Sequence, residues 1–155
     1  MLYVHRYEEV RHMCHHIKEW RGLESTKRHI ANEISNLIYE SNAVIVPIPS
    51  HIGYSTYTKQ IAEMTGLQVI DCIKCIPHES LYERKKRGEV VEPKELQFYL
   101  DKSRLQDYLL NNRPIYIFDL VCATGTTIKA AQSLFKNCTK VVVYALDDKE
   151  YSKFN

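Results

Sequence analysis

The chain has 155 residues, 45% of them hydrophobic and 26% charged, with 21 Lys and Arg against 19 Asp and Glu and a formal net charge of +2. That is the usual size of one domain and too short for two full ones, and 5 Gly and 5 Pro in a near-average composition exclude disorder, collagen and low-complexity repeats. The near-balanced charge argues against a general nucleic-acid coat, and no apolar stretch approaches the roughly 20 residues that span a bilayer.

The first residues, MLYVHRYEEVRHMC, carry acids where a secretory signal has its apolar run, and 5 cysteines without such a signal predict reduced thiols and a cytoplasmic address. Residues 8–20 predict a helix with an apolar stripe at Val10, Met13, Ile17 and Trp20, ended by Gly22. A second helix is expected over 25–39, capped by Ser25 or Thr26, with Ile30, Ile34, Leu37 and Ile38 inward. The unbroken apolar run 43–46 suits a central strand covered on both faces. Residues 57–64 read as a helix closing at Gly66, and 67–73 as a second strand. From 77 to 95 the chain turns strongly charged, which predicts a mobile exposed loop or an irregular hairpin around Arg84, Lys85, Lys86 and Arg87. A short strand at 96–100, a helix at 105–110, a third buried strand at 115–118, a helix from Thr126 or Thr127 to about Phe135 and a last strand at 140–146 follow.

Helices alternate with apolar strands, which predicts an open, mostly parallel twisted α/β sheet with helices on both faces, in a single domain spanning 1–155. In such sheets ligands bind beyond the carboxyl ends of the strands. The segment there with the most unusual composition is 119–127. Ala123, Thr124, Gly125, Thr126 and Thr127 form a small, hydroxyl-rich turn entering a helix, where free N–H groups and the helix dipole favour a phosphate. Asp119, at the strand tip, is placed to accept bonds from sugar hydroxyls. Neither a Walker A loop nor a dinucleotide fingerprint occurs in the chain.

The segment IFDLVCATGTT, residues 117–127, resembles the phosphoribosyl-pyrophosphate motif of type I phosphoribosyltransferases. Asp119 matches that motif's first acid, Val121 its apolar position, and Thr124, Gly125 and Thr127 its phosphate turn; Ala123 stands where a threonine is frequent and Leu120 where the second acid stands. Residues 43–51, with Pro47, Ile48, Pro49, Ser50 and His51, look like the family's first strand and pyrophosphate loop, similar to the competence-protein-F-like branch but without its zinc-binding cysteines. The resemblance covers roughly residues 25–146. It implies a Mg²⁺-dependent transfer in which a nitrogen nucleophile, a nucleobase or amine not identifiable from the sequence, displaces pyrophosphate from phosphoribosyl pyrophosphate.

On that resemblance Asp119, Leu120, Ala123, Thr124, Gly125, Thr126 and Thr127 are expected at the ribose 5-phosphate, and Pro49, Ser50, His51, Ile52 and Gly53 at the pyrophosphate. Arg84, Lys85, Lys86 and Arg87 are expected, with Asp119, to act in catalysis as a closing cationic loop. A minimal hood is left to the N-terminal helix, with Tyr3, Tyr7 and Trp20, and to the tail 147–155, with Tyr151 and Phe154. A homodimer is what the resemblance suggests; a membrane partner is not expected.

Plainer readings stand beside these. Residues 119–127 also suit an ordinary strand–loop–helix connection, 47–49 a rigid turn, and Arg84 to Arg87 a solvated loop or a nucleic-acid contact. His12, His15 and His16 around Cys14 read as a polar helix surface rather than a metal site. Cys72 and Cys75 sit at a strand end rather than before a helix, against a redox role, and Cys122 reads as a small filler. Leu120 keeps a non-catalytic phosphoribosyl pyrophosphate- or nucleotide-binding module as the alternative function, with a nucleic-acid-associated protein behind it.

Overall fold

The computed structural model describes residues 1–18, 24–104, 113–135 and 139–155, without the side chains of His16, Lys18 and Phe154. The expectations placed on Trp20, Gly22 and a helix at 105–110 lie outside the described residues, as does the side chain of Phe154. Among the described residues the chain runs β1 (Leu2–Arg6), α1 (Tyr7–Lys18), α2 (Glu24–Ser35), β2 (Val44–Pro47), α3 (Thr58–Glu63), β3 (Gln68–Val69) and β4 (Ile73–Lys74). It continues with α4 (Leu81–Lys86), β5 (Tyr99–Leu100), β6 (Ile115–Cys122), α5 (Thr126–Gln132), β7 (Lys140–Leu146) and α6 (Asp148–Phe154), with 3-10 turns at Pro93–Leu96 and Lys102–Arg104.

Five strands form one sheet in the order β1-β7-β6-β2-β3, every neighbouring pair parallel. A parallel sheet survives only when both faces are covered, and the central strands are apolar on both. The pleat sends Tyr116, Phe118 and Leu120 of β6 to one face, where Ile17 of α1, Ile30 and Ile34 of α2 and Ile61 of α3 close over them. Ile115 and Ile117 turn to the other face and meet Ile128 and Ala131 of α5. The expected α/β architecture with helices on both faces is the observed one. No helix among the described residues is long and apolar enough to cross a membrane.

Several elements differ from expectation. The strand expected at 115–118 runs on to Cys122, so Asp119 lies within β6 rather than at its tip. β1 was not expected; it pairs with β7, and its half-exposed side chains gave no apolar run to read. The strand expected over 67–73 is broken in two, β3 ending the large sheet and β4 pairing antiparallel with β5. The chain turns between them at Asp71, which bonds Lys74 at 2.9 Å.

The charged stretch 77–95 is neither an open loop nor a hairpin. It contains α4, whose N-cap Ser80 side chain accepts the Glu83 N–H at 3.2 Å, and a 3-10 turn with a reciprocal Glu92–Glu95 capping box. Val91 and Leu96 anchor it against Ala130 of α5. These few apolar contacts sit inside a run of charges, which hid them. The pairing of β4 with β5 closes the excursion at its base, and only Tyr99–Leu100 of the strand expected at 96–100 forms.

Candidate functional site

Because the five strands are parallel, the carboxyl ends of β2, β6, β7 and β1 open on one edge of the sheet. A cleft of about 1110 Å³ lies there, reached by Tyr7 from α1, Lys85 and Lys86 from α4, Asp119 from β6, the turn 123–127 and Asp147.

The turn is built by its own side chains. Gly125 takes φ +87° as the N-cap of α5, a conformation that L side chains rarely adopt. The buried Thr124 hydroxyl lies 2.8 Å from that of Thr126 and accepts the Thr126 N–H at 3.4 Å. The first N–H groups of α5 have no intrahelical acceptor, as at any helix start. From behind, α6 presses on the turn: a Cβ added at Gly125 would lie 3.2 Å from the Tyr151 ring. The Asn155 amide also donates to the Thr124 carbonyl at 2.8 Å and receives Lys129 at 2.6 Å. Ala123, Thr124, Gly125, Thr126 and Thr127 all line the cleft.

Asp119 lines it too, while its Oδ1 accepts the Leu120 N–H at 2.8 Å. Leu120 does not. The pleat turns it to the opposite face, fully buried in the core beneath α1–α3, so its expected place among the ribose contacts is corrected. Tyr57 stands near Asp119, and burial, then that carboxylate, hold its phenol well above the usual range. The Cys122 thiol is pushed up to about 12 by burial and then by Asp119, with Asp147 adding to the effect and Lys85 opposing it. One thiol therefore feels all three groups, and its own burial makes it a filler rather than a nucleophile.

The four cations of α4 and its cap divide into two pairs. Arg84 bonds Glu89 at 3.6 Å and Glu95 at 3.2 Å. Arg87 grips Glu79, with one contact at 2.7 Å, and Glu89 at 2.6 Å. Both arginines tie the segment to itself and neither lines the cleft. Lys85 and Lys86 do line it, Lys86 with its ammonium 5.3 Å from the Tyr82 ring centre. Burial draws the Lys85 ammonium below its usual range, partly offset by Glu150. The expected quartet is corrected to a pair, because glutamates nearby in sequence engage the arginines.

In the loop after β2, Pro49 and His51 line the cleft, whereas Ser50, Ile52 and Gly53 do not. The Ser50 N–H donates to the Tyr54 carbonyl at 3.1 Å and the Gly53 N–H to the Ser50 carbonyl at 2.9 Å, so both close the turn on itself. Gly53, at φ +105°, lets the chain pass close to Cys75, whose carbonyl would lie 2.8 Å from an added Cβ. The expectation that these N–H groups hold a ligand is narrowed accordingly.

Sequence reasoning placed the tail in the hood but missed Asp147 as a carboxylate in the cleft. The signal was available, since Asp147 directly follows the apolar strand β7. Of the hood candidates, Tyr7 reaches the cleft, its hydroxyl 3.2 Å from His15 Nε2 and its ring 5.5 Å from the Arg11 guanidinium. Among the described residues no three His, Cys, Asp or Glu side chains gather as a metal cluster. Asp119 and Asp147 are two of the carboxylates that line the cleft. Comparison with protein-family models, curated proteins and solved structures gives no match.

Proposed function

We propose that this chain is a Mg²⁺-dependent phosphoribosyltransferase that binds phosphoribosyl pyrophosphate in the cleft and passes the phosphoribosyl group to a nitrogen nucleophile. The observation that carries the reading is the meeting of the hydroxyl-rich turn 123–127, the Asp119 carboxylate and the Lys85 ammonium in one cleft at the carboxyl edge of a parallel sheet. A 5-phosphate suits the turn, the ribose suits Asp119, and the diphosphate suits Lys85, Lys86 and His51.

In the reaction the bond from the anomeric carbon to the diphosphate oxygen breaks, and its electron pair leaves on pyrophosphate. The nitrogen lone pair forms the new bond to that carbon, and the proton on nitrogen passes to solvent. Positive charge grows on the ribose while the leaving group turns more negative, so groups already placed at those two ends lower the barrier. Asp119 holds the ribose and favours its cation. Lys85, half-buried and short of its full hydration, is strengthened as a partner for the diphosphate. Bound with the diphosphate and touching Asp119, Mg²⁺ would supply further charge neutralisation at the leaving group. The segment 81–98 reaches the turn, where the Thr126 hydroxyl donates to the Val91 carbonyl at 3.5 Å, and would limit the water that hydrolyses the donor.

The test is pyrophosphate release from phosphoribosyl pyrophosphate and Mg²⁺ with a panel of nucleobases and amines. Release is expected with at least one acceptor and should fall about 100-fold or more in Asp119→Ala. Absence of donor binding by calorimetry would reject the reading. Leu120 supports one other reading, a donor-binding module without turnover, because its burial removes any acid from the cleft at that position. Tight donor binding with no release across the panel would select it.

A further inference from the structure

We propose that Tyr57 sets the sugar specificity of this cleft: its hydroxyl donates to the oxygen of a ribose ring hydroxyl whose proton Asp119 accepts, so that ribose 5-phosphates are selected over their deoxy counterparts. The inference rests on the phosphoribosyltransferase reading above. Placement is the first argument. β2 and β6 are parallel neighbours with Pro47 opposite Phe118, and the Ile48 N–H donates to the Phe118 carbonyl at 3.0 Å. The loop that leaves β2 therefore starts beside Asp119, and it ends where α3 begins. Tyr57 stands immediately before α3, lines the same cleft as Asp119, and packs its ring against the core beneath α1–α3.

Its backbone is held on both sides. The buried Ser55 and Thr58 hydroxyls bond each other, Ser55 Oγ accepts the Lys59 N–H at 3.2 Å, and the Tyr57 carbonyl accepts the Ile61 N–H at 3.3 Å. A ring fixed in this way presents its hydroxyl to a ligand with little further loss of freedom.

The hydroxyl is the second argument. Tyr116 and Tyr144, the two fully buried tyrosines, bond Glu40 and Glu33, whereas the Tyr57 hydroxyl has no hydrogen-bond partner among the described residues. Among those residues Asp71 Oδ1 is the one side-chain oxygen sealed from solvent without a partner, so the Tyr57 hydroxyl opens on the cleft. Burial, then the Asp119 carboxylate, hold this phenol well above its usual range, which keeps it a donor at neutral pH. A donor beside an acceptor complements a hydroxyl, which accepts from the one and donates to the other. Phosphate oxygens offer Asp119 only more negative charge, so the ribose is the part of phosphoribosyl pyrophosphate that fits this pair. A site built to hydrogen-bond a substrate hydroxyl rejects the analogue lacking it, because its own polar groups are then left unpaired.

Packing of the ring alone is the competing explanation. Tyr57→Phe separates the two, because it keeps the ring and removes only the hydroxyl. The experiment measures binding of ribose 5-phosphate, 2-deoxyribose 5-phosphate and 3-deoxyribose 5-phosphate by calorimetry on wild type and Tyr57→Phe. Wild type is expected to bind ribose 5-phosphate about tenfold or more tighter than at least one of the deoxy sugars. Tyr57→Phe should close that gap by loosening ribose 5-phosphate about tenfold, with the affinity for that deoxy sugar unchanged and the thermal midpoint kept or raised. A gap kept in full by Tyr57→Phe overturns the proposal, as does equal binding of all three sugars by wild type; both leave the transferase reading standing. Equal weakening of all three sugars in Tyr57→Phe assigns the residue to packing and also overturns it. Failure of wild type to bind any of the three removes the transferase reading and this inference together.

Discussion

Asp119 and Leu120 are one peptide apart and meet opposite environments, one facing the cleft and the other fully buried under α1–α3. An acid at position 120 would enter the core without a partner, not the cleft. Leu120→Asp is therefore expected to cost several kcal/mol, about 3 or more, and to bring no gain in turnover; urea unfolding and a pyrophosphate assay check both. Lys85 is the reverse case. Burial weakens its charged form, so Lys85→Met should keep or raise the thermal midpoint while weakening phosphoribosyl pyrophosphate binding about tenfold. A variant that lost stability and kept its affinity would contradict the role given to Lys85. The thiols offer a third check. Burial raises Cys72 to about 11 and Cys122 to about 12, and Cys14 and Cys75 are also buried. In a Cys138→Ser background no thiol should react with an aromatic disulfide at pH 8 until denaturant is added.

The segment carrying α4 is tied to itself by the Ser80 cap, the Glu92–Glu95 box and the Arg84 and Arg87 ion pairs, and its apolar anchor on the body is the small cluster of Val91, Leu96 and Ala130. Leu96 is its most buried apolar anchor. Leu96→Ala should cost about 2–4 kcal/mol at most, and amide exchange should localise the loss to residues 80–98 while the five-stranded sheet keeps its protection. Uniform loss across the sheet would mean that the segment belongs to the main cooperative unit. The same contrast explains what could be read from sequence. β2, β6 and β7 are covered on both faces, so each appears as an unbroken apolar run. β1 lies at an edge with mixed exposure, and α4 is a short helix with no buried residue, so neither leaves a period to detect. Within the site, Asp119 and the turn 123–127 are legible because strand, turn and helix start are contiguous. Asp147 and Lys85 reach the cleft only through strand order and the folding back of 81–98. The division between lysines and arginines depends on which glutamates the folded segment brings to each.

Across the whole molecule the two ends of the parallel sheet have different work. The carboxyl edge gathers the cleft, lined by Asp119, Asp147, Lys85 and Lys86. Toward the amino edge opposite charges are closed on each other: Glu40 receives both Lys140 and the Tyr116 hydroxyl, tying the loop before β2 to β6 and β7. The Lys140 ammonium, then the Tyr116 hydroxyl, hold the Glu40 carboxyl down at about 2. A carboxylate depressed in the folded state binds protons more readily when unfolded. Its stabilising effect is therefore complete above the ordinary carboxylate range near 4.5 and fades as the pH falls through about 2. Glu40→Gln should lower the thermal midpoint at pH 6, and the gap from wild type should close toward pH 2. Because none of Glu40, Tyr116 and Lys140 lines the cleft, the same variant should bind phosphoribosyl pyrophosphate as tightly as wild type at pH 7. A gap independent of pH would assign the loss to packing of Tyr116 rather than to charge. A change in donor affinity would mean that the two edges are coupled through β6, the strand that carries both Tyr116 and Asp119.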